Sequence, residues 1–207
     1  MVSVSMNPNQ MIQFIRAIRR LSGNRRGRLS RANTAIIQQA LNDIRDEVER
    51  IARDRLRADL SDGPPLSQSW VEEKDKIWSG KRWFVDSQGT TFQVPAPPFA
   101  LGPGHRAVLT GFLERELTAW IAGGLNLSNP PEIRVGYQTT GNIHPLAGID
   151  APALSLIIHI GWFNGKKNVP PRPYLNTAGA MAEYVSAMAR ILQGATNALA
   201  SNISGVP

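Results

Sequence analysis

Three histidines, His105, His144 and His159, are the side chains in this sequence best suited to acid–base or metal chemistry. They lie far apart, and none has a second donor at the i, i+4 spacing by which a helix presents two ligands to one metal. His159 alternates within an apolar run, where a histidine belongs to a core or an interface. Glu72, Glu73 and Asp75 cluster beside Lys74 and Lys76, a composition that a metal-dependent nuclease would use. No strand-borne carboxylate pair accompanies them, and a solvated charged face explains them better. Gly102-Pro-Gly104-His-Arg-Ala107 echoes a dinucleotide-binding turn, but it follows a proline-rich break instead of a strand, and Pro103 stiffens it. No serine stands in a Gly-x-Ser-x-Gly elbow. The absence of cysteine excludes disulfides, thiol nucleophiles and thiolate metal sites. The expectation is a non-enzymatic protein with no catalytic residue, metal or cofactor.

The charge is more informative once it is located. The net charge is +7 at pH 7. Residues 1–31 contain Arg16, Arg19, Arg20, Arg25, Arg26, Arg28 and Arg31 and no acid, and the other 16 basic residues balance the 16 acidic ones. Such a block fits a polyanion or an acidic partner surface, against the plainer alternative of a solvated arm. Arginine suits bidentate contacts to phosphate or carboxylate. No aromatic residue is interleaved between Arg16 and Arg31, so base stacking has no support. We expect a basic helical arm over 1–31 and a single domain over 32–207, long enough to bury a core. Apolar content of 42% and a mean hydropathy of -0.21 are ordinary for a globular chain. No apolar stretch reaches the roughly 20 residues that span a bilayer. No apolar signal core precedes the first arginines, so neither membrane insertion nor secretion is expected.

The elements that would position these residues follow from periodicity and breakers. Asn7-Pro8 opens a short helix carrying Met11, Ile12, Ile15 and Ile18, which Ser22-Gly23-Asn24 stops. A long helix is predicted from about Ser30 to Leu60, with Ile37, Leu41, Ile44, Val48 and Ile51 as a narrow seam of coiled-coil type that docks on the protein's own sheet, the favoured reading, or on a neighbouring subunit. Ser61-Asp-Gly-Pro-Pro65 ends it. Leu66–Trp78 holds a short helical turn, and Lys81–Val94 reads as a β-hairpin turning at Asp86–Gly89. A further proline break, Pro95–Pro98, leads to a helix from His105 or Val108 to Ala122. Glu132–Gln138 reads as a strand with Ile133, Val135 and Tyr137 on one face. The apolar run Leu154–Phe163 reads as a buried strand. Pro170, Pro171 and Pro173 end its ladder and force an extended crossing. Tyr174 and Leu175 anchor that crossing, Thr177 caps the next helix, and Met181, Val185, Met188, Leu192 and Ala195 form the helix's apolar stripe.

The order of these landmarks resembles a known family. Pro65-Leu66-Ser67 stands near Trp70 and Lys74, then come Leu109, Thr110, Gly111 and Leu113, and finally Arg172, Pro173, Tyr174 and Leu175 before the last helix. This succession is similar to that of the neck or tail-completion proteins of tailed bacteriophages, the virion-morphogenesis family related to Mu tail-completion protein G. It spans roughly residues 30–200. The Lys81–Pro98 insert lengthens the gap between the first two motifs. Phe112–Ala122 looks helical where the family would often continue into a strand. The arginine arm lies outside the resemblance.

The resemblance implies an antiparallel sheet backed by helices. Joined to the elements above, this gives an α+β fold whose sheet is packed by the long helix and the C-terminal helix, with a protruding β-hairpin and proline-rich loops. It also implies a structural role in a homo-oligomeric, six-fold ring at the head–tail junction of a virion, assembled from the host cytoplasm, and leaves open whether that ring is a neck connector, a head-closure or tail-completion ring, or a tail terminator. The neighbours would be connector, tail-tube or sheath proteins, with non-specific contact to genomic DNA through the arm and none to a membrane. Trp78, Trp83 and Phe84 are candidates for an intersubunit contact, against the alternative that they pack on their own sheet. The competing function is a small, sequence-independent nucleic-acid-binding module acting through the arginine arm.

Overall fold

A computed structural model describes residues 31–106, 108–124, 131–163 and 168–204. The expected N-terminal helix, with Arg16, Arg19, Arg20, Arg25, Arg26 and Arg28, lies outside the described residues; Arg31 is exposed at the start of the first described helix. The fold is α+β. In chain order the elements are α1 (Arg31–Arg57), α2 (Gln68–Trp78), β1 (Phe84–Val85), β2 (Thr91–Phe92), α3 (Phe112–Glu116), β3 (Leu117–Ala122), β4 (Glu132–Tyr137), α4 (Ala151–Ile160), β5 (Trp162–Phe163), β6 (Asn168–Val169) and α5 (Ala178–Ser204). The strands form three separate pairs among the described residues, β1–β2, β3–β4 and β5–β6.

The chain divides into two compact units. One unit contains residues 31–51, 119–135 and 181–204 among those described. Its core holds the predicted seam, since Ile37, Leu41, Ile44, Val48 and Ile51 are all buried. Ile133 and Val135 of β4 and Tyr184, Met188, Ala195 and Leu199 of α5 are buried in the same unit. Two contacts tie α1 to its neighbours there. Glu49 accepts the Ala119 N–H of β3 at 2.9 Å, and Arg190 of α5 donates to Glu47 at 2.8 Å.

The other unit contains, among the described residues, 52–106, 108–118, 136–163 and 168–180. It begins with the end of α1, which stops by a left-handed residue. Asp59 has φ 55°, Leu60 N–H bonds Arg55 C=O at 2.9 Å, and Asp59 N–H bonds Leu56 C=O at 3.3 Å. This is the six-to-one plus five-to-two pattern of a Schellman stop, and aspartate is among the few residues that tolerate its φ. Helix α2 has 11 residues, more than the single turn expected. In the β1–β2 pair, Phe84 faces Phe92 and Val85 faces Thr91; the Asp86 carboxylate closes the turn by accepting the Gln88 and Thr90 N–H groups, both at 2.8 Å.

Two expected elements are corrected. Leu154–Phe163 is not one buried strand: it is most of helix α4 followed by the two residues of β5. Asp150 caps the helix, its carboxylate accepting the Ala153 N–H at 3.0 Å, and Pro152 sits in the first turn where its missing donor costs nothing. Periodicity cannot separate a short apolar helix from a buried strand, and this start signal decides the matter. His159 therefore lies on a helix, buried with Ala151 and Ser155, while Leu156 and Ile160 face outward. Likewise Phe112–Ala122 is one helical turn, α3, and then strand β3. Thr118, Trp120 and Ile121 prefer a pleated surface, and pairing with β4 supplies one. In α5 Thr177 accepts the Ala180 N–H at 3.1 Å as expected. The buried stripe runs through Ala180, Tyr184, Ala187 and Met188, leaving the expected Val185 exposed.

Candidate functional site

The segment between α1 and α2 lies against the crossing that precedes α5. Asp62 N–H bonds Pro173 C=O at 2.8 Å. Gly63, at φ 142°, would place a Cβ 2.7 Å from the Pro171 carbonyl oxygen, so only glycine permits this approach. At the other end of the crossing Arg172 N–H bonds Ile158 C=O of α4 at 2.8 Å. Gly161, at φ 72°, would bring a Cβ within 2.4 Å of Val169 O. Arg106 joins the end of α1 to the next segment. It donates from its backbone N and Nε to the Asp59 carboxylate at 3.0 and 3.2 Å, and from its other guanidinium nitrogens to Asp59 O and Gly63 O at 2.7 Å each. The left-handed stop of α1 is what aims Asp59 at Arg106.

These contacts enclose a cleft of about 770 Å³. Its walls include Pro65, Leu66 and Ser67, then Leu109 to Leu113, then Arg172. Three segments that are distant in sequence thus surround one cavity. Trp70, His144, Leu154 and Ile158 complete the mostly apolar lining. Thr110 receives two donors: Phe112 N–H at 3.2 Å and His144 Nε2 at 3.0 Å. The histidine's role is fixed by its other nitrogen, because Nδ1 accepts the Leu146 and Ala147 N–H groups at 3.2 and 3.0 Å. His144 is therefore the neutral Nε2–H tautomer, and burial, with Arg115 adding to it, pushes its pKa down. A proton on Nδ1 would break both loop contacts.

One wall is cationic. Lys74 of α2 is 1% exposed, donates to the His105 carbonyl and lies 4.6 Å from the Trp78 ring centroid. Burial lowers its pKa to about 8; Asp59 opposes that shift and Arg172 adds to it. Arg172 is 9% exposed and its Nε has no hydrogen-bond partner among the described residues. Burial and the nearby Arg106 lower its pKa, with Asp59 opposing. Glu114, also in the lining, is engaged by Arg57 at 2.6 Å and Arg53 at 3.4 Å. His105 approaches Asp59 at 3.6 Å, yet the two do not form an ion pair. Its Nε2 donates to Arg57 C=O at 3.2 Å, Nδ1 is left as a buried lone pair, and burial keeps the ring neutral.

The remaining predicted residues divide. Trp78 is half-buried and donates to Leu109 C=O at 2.8 Å, bracing the second motif from α2. Phe84 packs on Phe92 with centroids 5.8 Å apart, so it serves its own hairpin. Trp83 is 61% exposed. Leu109 and Thr110 are part-exposed, Gly111 and Leu113 buried. Tyr174 and Leu175 are fully buried, and Pro173 is part-exposed. The Tyr174 hydroxyl meets those of Tyr137 and Ser155, and burial raises its pKa to about 12. His159 Nδ1 donates to Ser155 C=O at 3.1 Å, and its ring tilts onto Tyr174, so this histidine is part of the packing. Glu72 bonds Gln68 and Glu73 pairs with Arg82, as on a solvated face. Among the described residues no group of three His, Asp or Glu side chains could hold a metal, and no helix is long and apolar enough to cross a membrane. Sequence does not single out Asp59 or Arg106, and it marks His144 only as a lone histidine without a metal partner at helical spacing. No protein family, curated protein or solved structure matches this chain.

Proposed function

We propose that this chain is a non-enzymatic structural protein of a tailed-phage virion, one component of a homo-oligomeric ring at the head–tail junction. The observation that carries the reading is the convergence of Pro65–Ser67, Leu109–Leu113 and Arg172 on one cleft. Short motifs shared by chance have no reason to meet in space; segments that build one surface do. The strand β3 adds support, because the resemblance calls for a strand where the sequence pattern alone suggests helix. Exposed apolar side chains supply the surfaces that assembly needs. Trp83 and Val85 face outward from the hairpin, and Leu156 and Ile160 from α4.

The test is a nonsense mutant of a phage encoding the chain. The ring reading expects filled heads and separate tails to accumulate, and to join when the purified protein is added. Complete infectious particles formed without the protein would end it. The alternative, a nucleic-acid-binding module, is favoured by the seven arginines and absent acids of residues 1–31. It expects DNA retention that falls steeply with salt and disappears when residues 1–31 are deleted.

A further inference from the structure

The cleft has a positive wall: Asp59, the acid beside Lys74 and Arg172, is already bound by Arg106. Helix α2 begins at Ser67, which makes no side-chain cap bond, and its first turn contains no acid. The Trp70 and Val71 N–H groups bond Ser67 C=O at 3.0 Å each, so the Gln68 and Ser69 N–H groups and the dipole are left for whatever occupies the cleft, which Ser67, Ser69 and Trp70 line. Independently, Arg172 is buried in the same lining with an orphaned Nε, and Lys74 holds only a carbonyl and a ring face. That Nε is closed to solvent, but the whole guanidinium makes no hydrogen bond among the described residues, which is costly unless a ligand satisfies its outer nitrogens. The lining acid is already taken by Arg53 and Arg57. The rest of the wall is apolar, which suits aliphatic side chains and not a hydrated phosphate backbone.

We infer that this cleft docks an acidic, aliphatic peptide segment of a partner protein, its carboxylate held between the N-terminus of α2 and Arg172 and its apolar side chains against Leu66, Val108, Leu154 and Ile158. The inference names the partner chemistry for the assembly reading but stands on the cleft alone, so the head–tail joining assay and the test below can fail separately.

The probes are acetyl-Leu-Val-Leu-Glu-amide and its glutamine counterpart, titrated into the full chain. Backbone amide chemical shifts and Trp70 fluorescence report binding; Trp70 is 41% exposed in the lining. The glutamate peptide should bind about tenfold more tightly than the glutamine peptide, as a charge-assisted contact predicts. Arg172→Gln should remove that preference. Ser67→Asp should remove it as well, and this variant keeps a good helix cap, so misfolding cannot mimic the result. Equal affinity for the two peptides, or no binding of either at millimolar concentration, would overturn the inference. Displacement of the glutamate peptide by a single-stranded oligonucleotide would assign the site to nucleic acid and overturn it too.

Discussion

Lys74→Met separates the charge of the buried lysine from its packing, and the effect has a sign set by pH. Lys74 is 1% exposed, and burial lowers its pKa from 10.5 to about 8. Below pH 8 it is protonated in both states, and the folded state carries the charge at a cost of about 3 kcal/mol, roughly 1.4 kcal/mol for each pH unit between the two values. Its bond to the His105 carbonyl and its contact with Trp78 offset a cost of that size. Methionine keeps the stem and drops the charge, so the variant should lie within about 1 kcal/mol of the native chain at pH 7. Between pH 8 and 10.5 the unfolded state binds the proton and the folded state does not, so native stability rises with pH while the variant lacks this gain. The difference should grow by about 2–3 kcal/mol between pH 7 and pH 10. Tyr174, with a pKa raised to about 12, loses stability for the fold above pH 10 in both proteins and cancels. Urea unfolding of the pair at pH 7, 8, 9 and 10 measures this directly. A difference constant to within about 0.5 kcal/mol would refute a desolvated Lys74.

Other outcomes follow from the same geometry. His105, His144 and His159 all have pKa values pushed below 6.5 by burial, so stability should fall as pH drops below 6.5, before the carboxylates titrate; a thermal midpoint flat from pH 7.5 to 5.5 would contradict this. Gly161→Ala should cost at least about 2 kcal/mol in chemical unfolding, because φ is 72° and a Cβ would stand 2.4 Å from Val169 O. Glu114→Gln removes the charge facing Arg53 and Arg57 and should destabilise by about 2 kcal/mol, with the loss persisting in high salt because the carboxylate is buried. Trp83→Ser, at a 61% exposed site, should leave the unfolding midpoint nearly unchanged yet impair head–tail joining.

The sequence was legible where one signal acted alone. The α1 seam, the β4 face of Ile133, Val135 and Tyr137, the Asp86 turn and the Thr177 cap all follow from local pattern, and all are present. It misled where two signals competed. In Leu154–Phe163 apolar content outweighed the Asp150-Ala-Pro152 helix start, and in Phe112–Ala122 the helical spacing of apolar residues outweighed β-favouring Thr118, Trp120 and Ile121. The site was half-visible. Arg172 stood out as an arginine among prolines, and Lys74 as a neighbour of the first motif. Nothing local marks Asp59, whose role depends on a left-handed helix stop, or His144, whose bonds join loop residues to Thr110. Those roles arise from contacts across 34 to 47 residues, which no short window contains.

The most direct test of the central claim is peptide mass spectrometry with copy-number estimation on purified particles of a phage that encodes this chain. The account predicts the protein at a low, fixed copy number, a small multiple consistent with one ring, alongside portal and tail-tube proteins. Clean absence from mature particles, despite expression during infection, would contradict it and turn attention to the arginine arm.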